Sequence, residues 1–176
     1  MTQRKIAINI MQVSRFSILL FAVTAILFTV PFFLLNHNWL GHLSVTSGIL
    51  FVIILFIGVP LHEGLHGLTW ALVNKGGFKH VSFGVLWQYL APYCHYSEPM
   101  TRGRYVAGAI MPCLVLGLVP AVAALFHGYL LMLVFGIIYI SSAAADLWMT
   151  WLILKEPKHA LFLDHPSEPA FYVIER

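Results

Sequence analysis

Charge is what this sequence has least of. Asp, Glu, Lys and Arg together make up 10% of its 176 residues, where a soluble domain carries about a quarter. Hydrophobic residues supply 60%, so an ordinary water-soluble globule is excluded. The formal net charge of +3 is then no nucleic-acid signal, and the basic residues read instead as markers of membrane topology. Cysteine is nearly absent too. Cys94 and Cys113 lie in unrelated contexts, which excludes a disulfide framework and leaves two free thiols. There is no internal repeat and no low-complexity segment.

What the sequence does have is apolar length. Four stretches, about 16–35, 47–73, 105–126 and 129–154, each reach the roughly 20 residues that cross a hydrocarbon core of ~30 Å. The first follows Arg4, Lys5 and Arg15. It is too long for a signal-peptide core and has no small-residue cleavage site, so it reads as a retained helix. The first two spans are joined by a short hairpin around Asn36 to His42, and the last two by little more than His127 and Gly128.

All Lys and Arg fall outside those two hairpins. Arg4, Lys5 and Arg15 precede span one; Lys75, Lys79, Arg102 and Arg104 lie between spans two and three; Lys155, Lys158 and Arg176 follow span four. With four spans they share one side, and the positive-inside rule makes that side the cytoplasm, with both termini there. The expected architecture is an all-α membrane protein: a single integral domain over 1–176, with four transmembrane helices in the cell membrane.

The long connection, Asn74 to Arg104, departs from that helical pattern. His80, Ser82, Gly84 and Gln88 interleave with Val81, Phe83, Val85 and Tyr89. Alternation with period two predicts a short β-hairpin. Unpaired strand edges cannot face lipid, so this segment belongs at the cytoplasmic interface or against the helices. Trp87, Tyr89, Tyr93 and Tyr96 suit the interface.

Of seven acidic residues, Glu98, Glu156, Asp164, Glu168 and Glu175 lie outside the spans, while Glu63 and Asp146 lie inside. A carboxylate in lipid costs several kcal/mol and marks function. Glu63 belongs to His62-Glu63-Gly64-Leu65-His66. Helix positions i and i+4 share a face, so His62 and His66 can hold one metal ion through their imidazoles. Zinc suits that donor set, and Glu63 beside it is placed as general base toward water at the metal. The plain alternative is a pair of histidines bonded to neighbouring helices, which leaves the glutamate between them unexplained.

A catalytic zinc site takes three protein ligands and keeps one position open. Asp146 is the expected third ligand. His66 stands nine residues before Lys75, and Asp146 nine before Lys155. At 1.5 Å per residue both lie ~13 Å from the cytoplasmic ends of parallel spans. The alternative for Asp146 is a carboxylate capped by Ser141, Ser142 or Thr150. His37, His42 and His127 sit a helix length away, whereas His80 and His95 would have to fold back from the loop. In span three Gly108, Pro112, Gly117 and Pro120 point to a kinked, closely packed helix whose prolines free carbonyls. Asp164-His165-Pro166 reads as a turn.

His-Glu-Gly-Leu-His within a membrane helix, with Asp146 in the later Ser-Ser-Ala-Ala-Ala-Asp-Leu-Trp-Met segment, resembles the site-2 protease class of intramembrane zinc metalloproteases. From span two to the tail the chain looks closest to a group of small bacterial membrane proteins described as "putative zincin peptidases". The span-three proline and the Asp-His-Pro segment share in that resemblance. It implies zinc at His62, His66 and Asp146, with Glu63 as base, and peptide-bond cleavage near the membrane. Leu147 follows Asp146 where the main class has glycine, and Met111-Pro112 stands where it has an Asn-Pro-like element.

The expectation is therefore a zinc-dependent endopeptidase acting on membrane-anchored proteins or peptides in contact with membrane lipid, with no nucleic-acid partner. The alternatives are a catalytically inactive zinc-binding scaffold or sensor, which has no need of Glu63, and a metal or haem carrier, against which stands the fact that only two histidines share a span.

Overall fold

The computed structural model describes residues 2–87, 91–165 and 168–175. It is mostly helical, with a small antiparallel sheet. The chain opens with strand β1 (Thr2–Ala7), followed by helices α1 (Ile10–Leu35) and α2 (Val45–Val73). Strands β2 (Val81–Leu86), β3 (Ala91–Tyr96) and β4 (Met100–Thr101) come next. Helix α3 (Arg102–Pro112) then runs through a π-helical segment, Cys113–Leu118, into α4 (Val119–His127). After α5 (Leu130–Ser142) and α6 (Ala144–Lys155), the chain closes with β5 (Leu161–Asp164) and β6 (Ala170–Glu175).

Among the described residues three helical stretches are long and apolar enough to cross a membrane: α1, α2 and the continuous Arg102–His127 run. The pair α5 and α6, interrupted at Ala143, makes a fourth if it is one span. Apolar side chains on these helices face outward. Leu27 is 62% exposed and Phe56 71%, on faces far more apolar than a soluble surface tolerates.

The chain divides into two compact units. One holds Met11–Val59 and Pro112–Ala145. Its core is Phe28 and Phe32 of α1 against Ala121 and Ala124 of α4 and Leu133 and Ile137 of α5. Small residues let the backbones approach, as membrane helices require. A Cβ on Gly136 would stand 2.6 Å from Ala121 N and 2.7 Å from Gly117 O. The tight hairpin expected at His127–Gly128 is present. Gly128 adopts φ +71° and its N–H returns to Ala124 O, a left-handed helix cap that favours glycine.

The other unit holds Met1–Ile10, Pro60–Met111 and Asp146–Arg176. Here strands run in the order β1-β6-β5-β4, all antiparallel, with Thr2 opposite Glu175 and Ala7 opposite Ala170. Phe162 and Phe171 on its buried face pack on Tyr105 of α3, at ring distances of 6.4 and 6.5 Å. Arg4 pairs with Glu156 at 2.5 Å, and Lys5 pairs with Glu168.

The β2–β3 hairpin matches the alternation of its sequence, pairing Val81 with Tyr96 and Leu86 with Ala91. Gln88, Tyr89, Pro166 and Arg176 lie outside the described residues. Two expectations need correction. The protein is not purely helical outside that hairpin, because both ends of the chain join the four-stranded sheet. The segment after the last helix is not simply a turn: Asp164 closes strand β5, on the same buried face as Phe162. The span expected at 16–35 falls within helix α1, which begins at Ile10 and takes Arg15 into its second turn, since a long basic side chain reaches the interface from inside a helix end.

Candidate metal centre

His62 and His66 lie one turn apart on α2, and their buried rings meet at 4.9 Å between centroids. Asp146 stands in the first turn of α6. His62 Nε2 is 3.2 Å from Asp146 Oδ2, and His66 Nε2 is 3.4 Å from Asp146 Oδ1. The ligand atoms of all three lie within 4.8 Å of one another. Tetrahedral ligands about 2.1 Å from zinc stand roughly 3.4 Å apart. The two imidazole–carboxylate separations, 3.2 and 3.4 Å, lie at about that spacing.

Ser141 and Ser142, alternative partners of Asp146, are engaged elsewhere. Ser141 Oγ donates to Ile137 O and Ser142 Oγ to Tyr139 O, both within their own helix. The buried Thr150 hydroxyl has no partner among the described residues. The rival histidines are not in the group either. His80 bonds Ser97 at 3.1 Å and Glu98 at 3.2 Å. His42 and His127 lie against Tyr129. His95 is half-buried on β3, and burial followed by the nearby His165 holds its pKa below the usual histidine range.

Glu63 follows His62 and is partly buried. Its carboxylate accepts the backbone N–H of Cys94 on β3 and lies within electrostatic reach of both imidazoles and Asp146. The hairpin comes this close because α2 offers it a glycine. A Cβ on Gly67 would stand 2.8 Å from Val81 and 3.1 Å from Cys94 Sγ. Cys94 is a free thiol, pushed up to about 12 by burial and then by Glu63, so it is no nucleophile at neutral pH.

A second set of contacts surrounds the triad. His66 Nδ1 lies 2.9 Å from Gly108 O on α3. Trp70 stacks on His66 at 5.4 Å and donates Nε1–H to Tyr105 O at 3.1 Å. The Tyr105 hydroxyl donates to Asp164, whose other carboxyl oxygen accepts Tyr96 N–H at 3.4 Å. Burial, partly offset by these two donors, raises the Asp164 carboxyl to about 6. Sequence reasoning named Gly108 and Asp164 without these contacts, and missed Trp70 and the Cys94 N–H. The signal for the Gly108 contact was Pro112, four residues further on, because a proline there leaves a carbonyl without its helical donor.

No curated protein and no solved structure matches the chain. A family model described as "putative zincin peptidase" matches residues 55–161, a stretch that contains His62, Glu63, His66 and Asp146. Zinc is the cofactor this family implies, and the His-His-Asp group suits it. With more than half of its length matched, the chain belongs to that family of zincin peptidases.

Proposed function

We propose that this protein is an intramembrane zinc endopeptidase of the site-2 protease type, with His62, His66 and Asp146 holding the metal and Glu63 as general base. The observation that carries the reading is the approach of two imidazole nitrogens to one carboxylate, at 3.2 and 3.4 Å. Zinc bound there supplies Lewis acidity, which acidifies water and polarises the scissile carbonyl. Glu63 takes the proton from the attacking water and delivers it to the departing amine, the work of a carboxylate beside the metal in this motif. The Cys94 N–H holds that carboxylate in place. Substrates are membrane-associated proteins whose scissile segment is extended, since a peptide bond inside a helix is shielded by its own turns.

The sheet supports the membrane topology. Strand β1 precedes the first apolar helix, β4 lies between the second and third, and β5 and β6 follow the last. One sheet joins them all, so these segments share a side. The chain therefore crosses an even number of times between β1 and β4, and again between β4 and β5. That supports reading α5 and α6 as one span, four in all. Arg4, Lys5, Arg102, Lys155 and Lys158 mark the shared side as the cytoplasm.

The test is Glu63→Gln, which keeps the shape of the side chain and removes its basicity. Purified in detergent, the variant retains zinc and loses cleavage of a candidate membrane substrate by 10²-fold or more, the scale of a general base. Equal cleavage by native and variant chains would end the protease reading, while intact zinc binding without any cleavage in the native chain favours a scaffold or sensor.

A further inference from the structure

We infer that Pro112 is a positioning residue for the metal centre: its missing N–H reserves the Gly108 carbonyl for His66 and so sets which imidazole nitrogen faces Asp146. The inference rests on reading His62, His66 and Asp146 as the zinc site.

In an α-helix each carbonyl accepts the amide four residues further on. For Gly108 that position is Pro112, still within α3, and proline has no amide hydrogen. His66 Nδ1 lies 2.9 Å from the Gly108 oxygen. A carbonyl only accepts, so Nδ1 carries the proton, and in a neutral ring the lone pair is then on Nε2. Nε2 is the atom that faces Asp146. An outer hydrogen bond that selects the tautomer in this way is how proteins aim a histidine at a metal.

The surroundings of the bond are built around it. Gly108 has no Cβ, and the place one would occupy is filled by the Trp70 indole. That indole stacks on His66 with an interplanar angle of 18°. Pro112 is fully buried, so it is not a surface turn. Directly after it the helix widens into the π segment Cys113–Leu118, a form that absorbs an interrupted ladder and recurs at functional sites. With an ordinary residue at 112, an N–H would compete with His66 for the same oxygen. The ring would then be free to carry its proton on Nε2, where it cannot ligate.

Two measurements on the full chain in detergent test this. The first uses zinc alone, in competition with a chromophoric chelator. Pro112→Ala restores the N–H and is expected to weaken zinc binding 10- to 100-fold, the range for loss of an outer-shell partner. Pro112→lactic acid, the α-hydroxy acid with the same methyl group but no N–H, is expected to bind like the native chain. Native affinity in Pro112→Ala, or equal weakening in both variants, overturns the inference, because proline would then act only through its shape. The second is ¹⁵N NMR of the metal-free native chain, which needs no variant to fold. His66 is expected to carry a proton on Nδ1, and a ring protonated on Nε2 alone overturns the inference. A native chain that takes up no zinc, yet shows the Nδ1 proton, overturns the metal-site reading and leaves the role of Pro112 standing.

Discussion

Asp164 gives a prediction whose size can be worked out from its surroundings. Its carboxyl is buried on the inner face of β5, accepts the Tyr105 hydroxyl and Tyr96 N–H, and has no Lys or Arg partner among the described residues. Burial raises it from an ordinary 3.8 to about 6. A raised carboxyl favours the protonated form in the folded protein. Its contribution is therefore fully present below the unfolded value near 4 and is lost as pH rises through about 6. At 1.36 kcal/mol per pK unit the loss is on the order of 3 kcal/mol. Asp164→Asn keeps the shape and an accepting oxygen for Tyr105 but cannot ionise. Thermal unfolding in detergent between pH 4 and 7 should show the native chain losing stability relative to the variant, with most of the divergence complete by about pH 7. Parallel curves for the two proteins across that range would refute the argument.

Two further outcomes follow from the site and the sheet. Metal analysis should find about one zinc per native chain and little in Asp146→Ala; undiminished zinc would remove Asp146 from the ligand set. With Cys94 and Cys113 replaced, single cysteines at Gln3 and Thr101 should react with an impermeant thiol reagent only from the cytoplasmic side, and those at Asn38 and His127 only from the other. Labelling of Gln3 and His127 from the same side would rule out the four-span topology.

The parts of this protein written in local periodicity were legible in its sequence. The apolar stretches, the His127–Gly128 turn and the alternating hairpin each depend on neighbours within a few residues. The grouping of His62, His66 and Asp146 was legible for a different reason. Two histidines at helical spacing and a rare buried acid at matching depth are few enough in an apolar chain to be paired by elimination. The four-stranded sheet was not legible, because β1 and β6 are short and find each other only across the whole chain. Neither were the contacts that aim the site. Gly108 acts through its carbonyl and Cys94 through its N–H, and every residue but proline carries both groups. A side-chain pattern cannot single them out, and only the proline at 112 leaves a trace.

The pairing of β1 with β6 also orders events during biosynthesis. Strand β1 is translated well before its partner β6. At 5–20 residues per second, β1 waits roughly 8 to 35 s for β6 while the intervening helices are made. Until β6 arrives, its edge is open to other strands. Its basic Arg4 and Lys5 guard that edge during the wait and later close onto Glu156 and Glu168. The sheet thus acts as a latch that shuts only after the helices between its strands have been made.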